Sequence, residues 1–279
     1  MRTEHDVARR AVEAARQTAA ASGDVTSASL VSAELLALTR AGYQPAGLIS
    51  GTSVTTIVTA WAAQGRGGEI ESLTTGMTTA RNSAVERLIA AAHTLGAVGV
   101  VDVRPRLTWR GHRRSHSLEL TLVGTAVTGK GVHPTAVSDL PACFVAAMDA
   151  VAVSRLAWSG WQPVGVAIGV SVFGFPRRRV SVLARSSLRG GEALHQTEAL
   201  YGAREAAMDR LYADARALGG DGVLGMSLQQ DAHVWGRRAV EISVLGTAVV
   251  RTQGDEQIRI PELAFSLADP KAEFRTDLR

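Results

Sequence analysis

Apolar and polar positions alternate between two periods along the chain, and the alternation happens twice. In the stretch "QPVGVAIGVSVFGF" (162–175), β-branched and small residues follow a proline, which predicts a strand. The "PRRRV" segment breaks it, and residues 190–220 then read as a helix with Met208, Leu211, Ala215 and Leu218 on one face at spacings of 3, 4 and 3. Gly219 and Gly220 make its stop. Two further stretches, "DGVLGMSLQ" and "AVEISVLGTAVVRT", have strand composition and flank a hairpin at "DAHVWGRR". The first half gives the same succession. Val85, Leu88, Ala92 and Leu95 form the helical stripe, Gly96 ends it, and "VGVVDVRPRLTW" and "LELTLVGTAVT" flank a turn at "RGHRRSHS". Earlier still, Ser32–Gly42 predicts a short helix capped by Ser32. For "ACFVAAMDAVAVSRLAWSG", a strand followed by a helix and one long helix are both open readings.

The two successions match residue by residue. Ala80–Val100 and Ala203–Val223 share 11 of 21 positions at an offset of 123, and Gly42–Val54 and Gly160–Val172 share seven of 13 at an offset of 118. "RGGE" occurs at Arg66 and Arg189, and "GTAV" at Gly124 and Gly246. Constant order with small, localised length changes marks a tandem duplication. The expected organisation is an N-terminal helix (1–24), a first repeat (25–128), a linker (129–137), a second repeat (138–252) and a C-terminal tail (253–279). Each repeat reads as strand, long helix, strand, strand. So few strands under one helix leave a sheet face or edge bare, which calls for a neighbour.

Composition narrows the class. With 279 residues, 46% apolar and 20% charged, the chain describes a folded globular protein of two domains. One cysteine, Cys143, rules out an internal disulfide, and in its apolar surroundings it reads as a small buried hydrophobe. No apolar run is long enough for a membrane span, and the charged N-terminal stretch lacks a signal-peptide pattern, so the expected location is cytoplasmic.

The repeated motifs G-[YW]-Q-P-x-G, A-L-G-[GA]-[DV]-[GV]-V and G-T-A-V resemble those of the YbjQ family, also called UPF0145, whose label is "putative heavy-metal-binding". Copy one departs from the pattern at Ala97 and Val98, where copy two has Gly220 and Asp221. The resemblance implies an α+β fold of two tandem β-α-β-β, dodecin-like domains, each an antiparallel sheet covered by a long helix. It also implies ring or pseudo-ring homo-oligomers joined by short extra strands, and a heavy-metal ion as the ligand.

The residues offer little chemistry of their own. A metal site needs three or four converging donors. Among seven histidines only His112 and His116 are close in sequence, and two arginines separate them. No nucleophile elbow, H-E-x-x-H motif or phosphate-binding loop is present, so no enzyme is expected. Arg81 and Arg204, Glu86 and Asp209, and Arg87 and Arg210 recur at equivalent helix positions and read as structural charges. Net charge is +4. Its arginines cluster on the hairpins: Arg104, Arg106, Arg110, Arg113 and Arg114 with Trp109, then Arg237 and Arg238 with Trp235. The alternative reading is therefore a polyanion or nucleic-acid module, with Arg110, Arg113, Arg114, Arg237 and Arg238 on phosphates and tryptophan stacking on bases.

Overall fold

A computed structural model describes residues 30–58, 68–112, 115–129, 143–175, 194–234 and 238–251, with Arg10 and Glu13 from the segment before them. The first repeat contributes α1 (Ser32–Arg40), β1 (Tyr43–Val58), β2 (Gly68–Glu69), α2 (Glu71–Thr94), β3 (Gly99–His112) and β4 (Ser115–Gly129). The second contributes β5 (Phe144–Val145), α3 (Ala150–Trp158), β6 (Trp161–Gly174), α4 (Leu194–Ala217), β7 (Gly222–Val234) and β8 (Arg238–Arg251). The fold is α+β, with two sheets of strand order β1-β4-β3-β5 and β2-β6-β8-β7. The long strands are antiparallel in both.

The duplication is visible in the backbone. The Q-P-x-G motif makes a bulge in both first strands, between Pro45 and Gly47 and between Pro163 and Gly165. A second bulge breaks β3 between Val101 and Arg104, and β7 between Leu224 and Ser227. At that bulge one residue must turn left-handed. Gly225 does so without cost (φ 61°), and Asp102 does so at φ 55° with its carboxylate held by Arg104 Nε at 2.9 Å.

Each long helix lies directly on the first strand of its repeat. A side chain at Gly51 would run into the carbonyl of Ala84, with Leu88 N at 2.5 Å; one at Gly169 would run into the carbonyl of Ala207, with Leu211 N at 2.8 Å. The buried stripe of α4 is Ala203, Ala207, Leu211 and Ala215, at strict four-residue spacing. Met208 flanks it and Leu218 lies past the helix end, partly exposed. The expected stripe was thus half right: close helix–strand approach selects alanine at the contact line and moves the larger residues aside.

Three further expectations are settled. Residues 143–158 form a short strand and then a helix, capped by Asp149, whose Oδ1 accepts from Ala152 N at 2.7 Å. Ser32 is the first residue of α1 rather than its cap. Val31 holds the cap position, and its N–H is bound by Glu34 Oε2 at 2.8 Å. Cys143 is buried, and desolvation pushes its thiol up to about 11. A group that stays protonated through pH 8 is a poor nucleophile. Thiol labelling of the native protein at pH 8 should therefore be slow, at least about tenfold below the denatured chain, and native labelling at the denatured rate would contradict the burial. The N-terminal helix, the linker and the tail fall almost wholly outside the described residues.

Candidate functional site

The junction between the repeats is where side chains of unusual environment converge. It is built by exchange of short strands. Gly68–Glu69, from repeat 1, pairs with Phe173 and Gly174 at the end of β6. Phe144–Val145, at the start of repeat 2, runs parallel to β3 at Gly99 and Val100. Both sheets thereby gain a short fourth strand, one from repeat 1 and one from the segment that joins the two long-stranded halves. The Phe144 ring lies against Gly99 and meets Tyr43 edge-on at 5.8 Å. Around these strands α1 packs against α3, with Leu38, Ala41, Ala150 and Val153 in one cluster. A second cluster joins Ile57, Ile70, Leu73, Met77 and Leu118 of repeat 1 to Val170, Val172 and Ala239 of repeat 2.

The outer edge of β6 would otherwise present unpaired backbone groups, and α4 of its own repeat and the start of α2 from repeat 1 satisfy them between them. Ile168 N donates to Asp214 Oδ2 at 2.8 Å, and Val170 O accepts from Arg210 Nη1 at 2.9 Å. Val172 N donates to Thr74 Oγ1 at 3.2 Å, and Val172 O accepts from Ile70 N at 2.7 Å. Arg210 also bridges to Glu69 at 2.7 Å, which ties the exchanged strand to α4. In repeat 1, Arg87 makes the equivalent bond to Thr52 O at 2.5 Å. The recurring Arg87 and Arg210 are thus edge-capping groups.

At the centre of the junction, Glu241 is fully buried and Arg81 is 9% exposed. Glu241 Oε2 accepts from Trp109 Nε1 at 3.2 Å, across the repeats. Burial pushes Arg81 down to about 10, against the pull of Glu241 and Asp214. Burial also raises Asp214, although the Ile168 N–H and Arg81 favour its charged form. Arg81, Asp214 and Arg210, with Thr78 and Asn82, line a cleft of about 420 Å³ between α2 and α4. The cluster is one of mutually compensating charges and shows no nucleophile paired with a base.

The metal and polyanion candidates fare differently. Strand pairing sets His116 opposite Gly111 and His112 opposite Ser115, so the two histidines are not cross-strand partners. Among the described residues no group of three or more His, Cys, Asp or Glu could hold a metal ion, so those residues do not fit a heavy-metal site. Arg110 is exposed and stands 3.6 Å from Glu119. Arg113, Arg114 and Arg237 lie outside the described residues, and Arg238 is placed by its backbone alone, opposite Val234. Trp109 is turned to Glu241 and packs in the inter-repeat cluster, so it is not the exposed stacking surface that a single-strand binder needs. Sequence spacing missed Glu241. The available signal was its recurrence with Glu119 at equivalent positions of the two copies.

No described helix is long and apolar enough to cross a membrane. Residues 42–130 and 162–252 each match the model of the YbjQ family, which is described as "Putative heavy-metal-binding". The chain is also 33% identical over 229 residues to Encapsulin nanocompartment protein Rv1762c of Mycobacterium tuberculosis, a match that covers 81% of this chain and 86% of that protein. With both repeats matched, and the bulges and helix-on-glycine contacts present twice, the chain belongs to the YbjQ family as a tandem of two of its domains.

Proposed function

We propose that the chain is a non-enzymatic assembly protein whose two repeats form one unit of a larger cytoplasmic ring or pseudo-ring. The reciprocal strand exchange carries this reading. Each repeat completes its sheet with a short strand from outside its own long-stranded half, yet two repeats in one chain have only one such boundary between them. Val172, beneath the exchanged strand, is fully buried, whereas its counterpart Val54 on the outer edge of β1 is 65% exposed. At the other end, Leu224 and Met226 on β7 are exposed where their counterparts Val101 and Val103 are buried. Exposed apolar positions at open sheet edges favour association with further copies. The second "RGGE", the sequence counterpart of the exchanged Gly68–Glu69, lies outside the described residues.

The named relative supports a setting for such an assembly: work with, or within, an encapsulin-type protein shell. Heavy-metal binding rests on the family description, with His112 and His116 as the sequence candidates, and elemental analysis of tag-free protein tests it. For the assembly itself, native mass spectrometry should give a discrete multiple of the 29.3 kDa chain. A species of one chain at every concentration would refute the reading.

A further inference from the structure

Building on the assembly reading, we propose that the exposed flank of α4 and the outer edge of β1 are the two halves of a chain-to-chain junction, with Arg204 of one copy set against Glu119 of the next. The internal junction is the template. There, Arg81 on α2 lines an internal pocket with Ser243 of β8, two residues along the strand from Glu241, and both charged side chains are buried. The offset of 123 carries Arg81 to Arg204, and the offset of 122 carries Glu241 back to Glu119. Both members of a second pair are therefore present. Within the chain, however, α4 packs on β6, β7 and β8, Arg204 faces solvent, and the Glu119 carboxylate is 40% exposed.

The surroundings of the two residues agree with this placement. Tyr201, one helical turn before Arg204, is 65% exposed. Its counterpart Thr78 lines the internal cleft between α2 and α4, so the same flank here carries an exposed aromatic ring beside the exposed Arg204 and Glu205. On the receiving side, Thr52 and Val54 are exposed where Val170 and Val172 are buried by repeat 1. Arg87 already holds the Thr52 carbonyl in the way that Arg210 holds Val170 within the filled junction. The donating flank lies on repeat 2 and the receiving edge on repeat 1, so the contact is heterologous and runs head to tail.

The copy is not identical, and the difference has a consequence for salt. The pairing register makes Ala232 the counterpart of Trp109. Glu119 then has no indole donor and relies on Arg204, with its own Arg110 at 3.6 Å. The chain-to-chain contact is the more purely ionic of the two, so added salt should weaken assembly before it loosens the junction inside the chain.

The test is charge reversal, read by light scattering and native mass spectrometry. Arg204→Glu and Glu119→Arg should each weaken assembly about tenfold or more, because like charges then face one another. The chain carrying both changes restores an opposite-charge pair at every junction and should assemble again. Both positions lie on the surface, so circular dichroism of each single variant should match the unchanged protein. Single variants that assemble like the parent would overturn this pairing and leave the assembly reading standing. So would a double variant that stays apart. A parent protein that is a single chain throughout would remove both.

Discussion

Gly169→Ala is expected to destabilise the protein by about 3 kcal/mol, the upper end of what one inserted methyl costs in a packed interior. The reason is positional. A Cβ at residue 169 would stand in contact-violating range of the Ala207 carbonyl, with Ala207 C at 2.9 Å and Leu211 N at 2.8 Å. All of these are backbone atoms of α4, so no rotamer change relieves the clash. The helix itself must lift from β6, and the contact of Ala203, Ala207, Leu211 and Ala215 with the sheet opens with it. Gly169 is not held at positive φ, so the effect is steric rather than conformational. Gly219→Ala is the control. That residue sits at φ 75° with open space around its Cβ position, and alanine there should cost only about 1–2 kcal/mol of backbone strain. Urea denaturation of the two variants checks the ordering. If Gly169→Ala were the milder of the two, the close helix–strand approach would be wrong. Gly51→Ala should behave like Gly169→Ala, because Ala84 and Leu88 stand over it in the same way.

That glycine pair also shows what was legible beforehand. The matching blocks contained Gly51 and Gly169, but composition alone could not say that a helix backbone rests on them. The order of long elements, the helix stops and the two hairpins were readable because each is local, written in periodicity and turn residues over about ten to 25 positions. The exchanged strands were not. Gly68–Glu69 and Phe144–Val145 are two residues each, too short for any period, and their partners lie about 105 and 45 residues away. Trp109 could be read either as a base-stacking surface or as packing beneath its hairpin, for a related reason. Spacing marks it as part of a basic hairpin, but only the packing of one repeat on the other decides that its indole meets Glu241. The duplication itself held the missing clue. Arg81 and Arg204, and Glu119 and Glu241, recur as pairs across both copies, whereas the position of Trp109 is held by Ala232 in the second.

Arg81→Met is expected to cost about 3 kcal/mol near neutral pH, the scale for removing one member of a buried charge pair. Methionine keeps most of the volume, so the loss isolates the charge. Glu241, fully buried, and Asp214 would be left without the cation that both attract. In the unchanged protein Asp214 already titrates above its usual range, and without Arg81 it should rise further. A carboxylate whose folded pKa is raised above the unfolded value favours folding most at low pH and loses that contribution as pH rises through the folded pKa. The deficit of the variant should therefore be largest above pH 7 and shrink toward pH 4. Adding Glu241→Gln to Arg81→Met removes the orphaned charge while keeping an acceptor for Trp109 Nε1. This pair of changes should recover most of the loss, since neutral replacement of a buried ion pair is often close to neutral for stability. A double-mutant cycle at pH 7 and pH 4.5, followed by thermal unfolding, reads both effects. Equal and additive losses at the two pH values would mean that Arg81 and Glu241 do not act on one another, and the charged centre of the junction would have to be abandoned.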